Sequence, residues 1–530
     1  MSRAQPEPQG AVPELPHDGF DRIDEPVAFW ARHRPEAPAV REGGRVRSYA
    51  EFAADIERAA AFLAERGVRP GDRILVVQEN GLAAVVFLLA ASRTGAWAVP
   101  LNARLAWPEI EAIRGHARPR VTLYTLGVSP DAEAHAARDG AAGAAGLEDL
   151  GVAYRMTERD VEPEAVSGPE RDRVAALLYT SGTTGAPKGV MLTQGNILFI
   201  AERTCRIRRL GPDDLIYCVL PTSHIFGLAA VFMGSLHDGV LIDLVPRFTP
   251  EETARALAED GVTLFSGVPA IYAHLVALAA ARGAPLAAPR LRYISVGGAP
   301  LDLALKREVE AMFGIPLYNG YGLTETSPTV STTAIDDPRD DDSAGTLLAD
   351  VEVTIVGRDG AALPTGEVGE LWVRGGLVMK GYYRDPGRTA EVLTPEGWLK
   401  TGDLARLSKD GNLYIVGRLK ELIIRSGFNV YPAEVEGAIA GHPDVALVAV
   451  VGRARDGNED VVAFVQPRPG SRPDPEALAA FAAARLAPYK RPSAFLIRDH
   501  LPVTAAGKIL KHELKRELEA AGPTDPGGKA

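Results

Sequence analysis

Apolar positions along this chain alternate between short strand-like runs and longer stretches at helical spacing. Asp55–Arg66 carries apolar residues at helical spacing, and Arg73–Gln78 reads as a strand. Gly81–Ser92 is helical again, and Ala96–Leu101 is the next strand. Val121–Tyr124, Leu215–Leu220, Val240–Leu244, Val262–Phe265 and Leu291–Val296 are further short apolar runs bounded by Gly, Pro or Asp. Strands separated by helices in this way predict mostly parallel sheets covered on both faces.

The rhythm changes after about Ile335. An acidic loop, DDPRDDDSAGT, is followed by β-type runs at Val351–Val356, Gly369–Arg374 and Gly411–Val416, joined by Gly-rich turns. Further on, helices fit Pro432–Ala440 and Pro475–Arg485, and strands fit Val445–Gly452 and Asp460–Gln466. The expected fold is therefore α/β: a large N-terminal domain over 21–417, with a β-rich subdomain from about 335 to 417, and a small α+β C-terminal domain over 421–518. A polar, Pro-rich leader over 1–20 and a tail over 519–530 complete the chain. At 530 residues, several structural units are expected.

Composition narrows the function classes. Lys and Arg total 58 against 69 Asp and Glu, and this net charge of −11 disfavours a nucleic-acid surface. The most apolar segment, Leu82–Pro100, is interrupted by Ser92, Arg93 and Gly95, so no transmembrane segment is expected. Cys205 and Cys218 are the only cysteines, and their spacing is neither a metal pair nor a disulfide framework. A reduced, cytoplasmic setting follows, with both thiols read as packing residues.

The chemistry begins at Thr180–Gly189, TSGTTGAPKG, directly after the strand-like Val174–Tyr179. Glycines free backbone N–H groups to point into a concavity, hydroxyls add donors, and Lys188 adds a flexible point charge. Together these suit a phosphate. The loop is not the Walker type, because Lys188 is followed by Gly189 rather than by Ser or Thr.

The wider segment YTSGTTGAPKGVMLTQGN resembles the signature of the adenylate-forming superfamily, which includes acyl-CoA synthetases, luciferases and peptide-synthetase adenylation domains. Further segments similar to that family follow in order: SVGGAPL, YNGYGLTETS, KTGDL, GRLKELIIRSGFNVYP and PVTAAGKILK. The resemblance covers roughly 25–515 and implies ATP and Mg2+ as cofactors, with coenzyme A as co-substrate. It implies that Thr180, Ser181, Gly182, Thr183, Thr184, Gly185 and Lys188 bind the triphosphate. Gly298, Ala299, Pro300, Asn319, Gly320, Tyr321, Gly322 and Thr324 would line the nucleotide site, with Asp403 on the ribose and Arg418 beside it. By the same resemblance Glu325 holds the metal, and Thr184, Glu325 and Lys508 form the catalytic set. A hinge over 418–420 centred on Lys420 would make the C-terminal domain mobile, and Ser426, Gly427 and Phe428 would line the CoA tunnel. Gln194 and Glu421 depart from the family pattern, where histidine and aspartate are common.

The family's acyl pocket maps onto LPTSHIFGL and SVGGAPL, with His224, Phe226 and Gly227 from the first and Gly298 from the second as its expected residues. The first segment has no acidic residue to hold an α-ammonium group, which disfavours amino acids. Its apolar makeup suits a fatty or aromatic acid; a fatty acid is favoured, with an aryl-CoA ligase or a carrier-protein ligase as alternatives. The luciferase reaction has no feature selecting it, and a nucleotide-binding pseudoenzyme would be expected to lack Lys508, Glu325 or a loop glycine. Partners are then a small carboxylic acid and CoA, with a homodimer left open.

Overall fold

The computed structural model describes residues 15–16, 19–157, 161–180, 187–426, 428–455, 458–468, 470–503 and 509–520. The described residues form two compact units, one built from those up to Tyr179 with Gly189–Arg247 and Val262–Leu264, the other from the remainder.

In the first unit, Arg73–Gln78 pairs in parallel with Trp97–Asn102 on one side and Val121–Thr125 on the other. Val174–Thr180 continues the sheet beyond Trp97–Asn102, again in parallel. At the far side Val152–Met156 runs antiparallel to Val121–Thr125. Every residue of Arg73–Gln78 is buried, as is Ala83–Ser92 within the helix Leu82–Arg93. A helix that is apolar all round has to be covered all round, which is why this stretch shows little amphipathic rhythm. The amphipathic helix Tyr49–Glu65 starts earlier than its apolar spacing suggested, because Ser48 and Glu51 form a reciprocal capping box. Gln194 accepts from Ile23 N–H at 3.0 Å, and the Ser92 hydroxyl donates to Asp24 at 2.7 Å. The residue that departs from the family's histidine thus anchors the N-terminal segment.

In the second unit, Tyr293–Val296 and Leu317–Tyr321 pair in parallel. The β-rich portion is a four-stranded antiparallel sheet of Val351–Val356, Gly369–Gly375, Leu399–Leu407 and Leu413–Arg418. The acidic loop is pinned rather than free: Asp341 accepts from the Tyr414 hydroxyl at 2.7 Å and from Arg339 at 3.1 Å.

Toward the C-terminus, Val445–Arg455 and Asn458–Pro467 form an antiparallel pair extended in parallel by Ala494–Ile497. Val448, Val450, Val461, Ala463 and Val465 face the helices Pro432–Ala440 and Pro475–Ala483. Ala449, Val451, Val462 and Phe464 face the opposite way, onto Leu514 and Leu518 of the helix Lys511–Ala520. Both faces of the sheet are covered, so these strands read as continuous apolar runs, each large side chain contributing about 1.5–3 kcal/mol on burial. Among the described residues, no helix is long and apolar enough to cross a membrane.

Candidate active site

Asp403 and Arg418 are cross-strand partners in the antiparallel pair Leu399–Leu407 and Leu413–Arg418. That register brings Arg418 Nε to 3.1 Å from Asp403 Oδ1, while the Tyr321 hydroxyl donates to Oδ2 at 2.6 Å. Asp403 is only 3% exposed, so its charge relies on donors such as these in place of water. Burial, then the negative charge of Asp403, holds the Tyr321 phenol well above its ordinary pKa. Tyr321 therefore remains a donor throughout the physiological range.

Glu325 lies on the single turn Thr324–Thr326 and accepts from the Tyr382 hydroxyl at 2.8 Å through Oε1. Among the described residues Oε2 has no hydrogen-bond partner, leaving an anionic oxygen suited to a hard cation. Lys188 Nζ lies 5.5 Å from the centre of the Tyr382 ring. Burial and the charge of Arg388 push the Lys188 pKa down, against the pull of Glu325. Burial and then Arg418 do the same to Lys420, with Lys188 adding to the repulsion. Lys188, Lys420 and Arg418 thus share one field with Glu325 and Asp403, an arrangement that an anionic ligand would relieve.

The backbone around this cluster allows little variation. A methyl group on Gly322 would sit 1.3 Å from the Pro328 carbonyl oxygen, so only glycine fits the turn. Gly298 has φ +80°, the left-handed region that side chains disfavour, while Ala299 is half-buried and Pro300 exposed. Gly320 and Tyr321 pair with Thr332 and Ser331, and half-buried Thr324 opens the Glu325 turn. Asn319 is placed as an anchor: its amide donates to Ser343 O at 3.0 Å and its N–H to Thr333 Oγ1 at 2.8 Å.

The remaining expected residues fall elsewhere. Thr180 ends the strand Val174–Thr180, whereas Ser181, Gly182, Thr183, Thr184, Gly185, Gly427 and Lys508 lie outside the described residues. In the first unit, His224 is exposed and its Nδ1 accepts from Phe226 N–H at 3.3 Å. Phe226–Met233 is a π-helix, a rare geometry enriched at functional sites. Its start is tight, since a methyl on Gly227 would lie 2.3 Å from Pro221 O. In the C-terminal hairpin, Ser426 has φ +53°, and Phe428, 55% exposed, stacks on Tyr489 at 4.7 Å.

Tyr382 and Arg388 were not foreseen from sequence. The only cue was the aromatic pair in KGYYRDP, which no periodicity distinguishes from core. Lys511 is a second omission: it reaches Glu421 at 3.0 Å and Glu436 at 2.8 Å. It joins the C-terminal helix to the residue that replaces the family's aspartate.

Comparison with known proteins fits this geometry. Residues 27–383 match the model of the AMP-binding enzymes, and 434–508 match the AMP-binding enzyme C-terminal domain. Feruloyl-CoA synthase of Amycolatopsis sp is 37% identical over 494 residues, covering 92% of this chain and 97% of that protein. Indoleacetate–CoA ligase of Aromatoleum aromaticum is 35% identical over 495 residues, covering 91% and 95%. The o-succinylbenzoate CoA synthetase of Bacillus subtilis, solved with its acyl-adenylate intermediate, superposes with a TM-score of 0.79 at 31% identity, over 92% of this chain and 97% of that one. With its motifs in family order and both family models matched, the chain belongs to the AMP-binding enzymes of the adenylate-forming superfamily.

Proposed function

We propose that the protein is an AMP-forming acid–CoA ligase whose acid is aromatic, with MgATP and CoA as co-substrates. The carrying observation is the convergence of Tyr321, Asp403 and Arg418 with Glu325, Lys188 and Lys420. Asp403, kept anionic between a phenol and a guanidinium, is suited to accept ribose hydroxyls, and the ring of Tyr321 to pack on adenine. Bound Mg2+, held through Glu325, would neutralise phosphate charge.

In the first half-reaction the carboxylate oxygen attacks the α-phosphorus and pyrophosphate leaves. Lys188 faces the phosphates, and Lys508 stabilises the charge that builds between carboxylate and phosphorus. In the second, the CoA thiol loses its proton and attacks the acyl carbon, and AMP departs. Rotation about Lys420 exchanges Lys508 for the Ser426–Phe428 loop between the steps.

The aromatic assignment rests on the named aryl relatives, and a fatty acid is the second reading, favoured by the apolar π-helix beside His224. A pyrophosphate-release screen over acetate to palmitate, benzoates, cinnamates and arylacetates separates them. Highest kcat/KM among aryl acids is expected; an aliphatic optimum would overturn the aromatic assignment.

A further inference from the structure

Three side chains of metal-binding type converge in the first unit, on elements the proposed reaction does not use. Cys205 lies in the helix Gln194–Arg208, His237 ends the short helix Gly234–His237, and Asp238 follows it. Cys205 Sγ lies 3.5 Å from His237 Nδ1, and Asp238 Oδ1 lies 2.8 Å from the same nitrogen. The three ligand atoms all fall within 4.8 Å of one another. A proton relay from cysteine through histidine to carboxylate needs its two partners on different ring nitrogens. Here both face Nδ1, which is the geometry of three ligands around a common point.

We propose that Cys205, His237 and Asp238 form a binding site for a borderline-soft divalent cation of the Zn2+ type. A tetrahedral zinc ion with metal–ligand distances of about 2.0–2.3 Å needs its ligand atoms roughly 3.3–3.8 Å apart. The Cys205–His237 separation of 3.5 Å already meets this, and the Asp238 carboxylate, 2.8 Å from the same ring nitrogen, has to draw back from it to complete the set. Binding displaces the thiol proton to solvent and forms a sulfur–metal bond, with the fourth position left to water or to the Glu202 carbonyl, now 2.9 Å from Sγ. The thiolate and imidazole select against Mg2+, so this site is chemically distinct from Glu325. His237 is fixed from behind, its carbonyl accepting from Trp30 Nε1 at 3.1 Å and its ring meeting Phe20 edge-on at 5.6 Å. Asp238, 22% exposed, supplies the route in from solvent.

The test titrates the full-length, nucleotide-free protein with Zn2+ by calorimetry and with Co2+ by absorption. With only two cysteines in the chain, a thiolate-to-cobalt charge-transfer band can be assigned by substitution. One equivalent of Zn2+ should bind, the band should appear in wild type and Cys218→Ser, and it should vanish in Cys205→Ser. Asp238→Asn, at the most exposed ligand, should weaken Zn2+ by more than about tenfold while leaving the circular dichroism unchanged. Absence of the band, its persistence in Cys205→Ser, or unchanged Zn2+ affinity in Asp238→Asn overturns the proposal and leaves a plain hydrogen-bonded cluster. Should Cys205→Ser fail to fold, the Asp238→Asn affinity decides alone.

Discussion

Asp403 shows most directly how a single side chain is held by its surroundings. Its carboxylate is buried between a phenol and a guanidinium, so Asp403→Asn removes the charge both donors are arranged around. We expect kcat/KM for ATP to fall about 10–100-fold, equivalent to roughly 1.4–2.7 kcal/mol, measured by steady-state pyrophosphate release. Lys188 and Lys420 give a second expectation at this scale. Both have pKa values depressed below the ordinary lysine value of 10.5, by burial first and by neighbouring cations second. A bound triphosphate counters those cations and raises both values, so ATP binding takes up protons on the alkaline side, below 10.5. Calorimetry in buffers of different ionisation enthalpy reads the uptake, and Lys188→Met should reduce it. Asp403, Arg418, Glu325 and Lys188 could be singled out in sequence because each sits in a short motif of fixed spacing. Tyr382 could not be, since an aromatic that donates to a carboxylate 57 positions away leaves no local pattern.

Secondary elements were read best where turn-forming residues mark their ends. Val351–Val356 and Pro432–Ala440 have the bounds that the pattern predicted, the helix because Pro432 opens it. The π-helix Phe226–Met233 was invisible, because a wholly apolar run carries no phase from which its winding can be told. The turn after Leu317–Tyr321 is the least tolerant element of the site. Gly322→Ala drives a methyl group into the Pro328 carbonyl and should destabilise by more than about 3 kcal/mol, seen as a large fall in Tm or loss of soluble protein. The acidic loop behaves differently. Burial opposes the charge on Asp341, but the Tyr414 hydroxyl and Arg339 outweigh it and hold the pKa well below the ordinary 3.8. A depressed carboxyl stabilises the fold above its unfolded value and loses that stabilisation as pH falls through its folded one. Asp341→Asn should therefore flatten the acid limb of a Tm-against-pH curve.

At the scale of the whole molecule, the proposed two-step reaction divides cleanly by mutation. Lys508→Ala should abolish pyrophosphate release from ATP and acid, yet allow a preformed acyl-adenylate to react with CoA. Normal adenylation by this variant would remove Lys508 from the mechanism. Sequence motifs suggest this division of labour but not how the C-terminal segment is packed, since the clamp of Lys511 onto Glu421 and Glu436 joins residues 90 and 75 positions apart, 511 − 421 and 511 − 436. That clamp also sets where the gene can be cut. In a chimera with a relative, a crossover at about residue 430 would give Glu421 from one parent and Lys511 from the other, leaving a mostly buried ammonium matched to a side chain of different length. A crossover before Glu421 passes all three on together, so the unit of inheritance begins ahead of Glu421 and not at the first C-terminal helix.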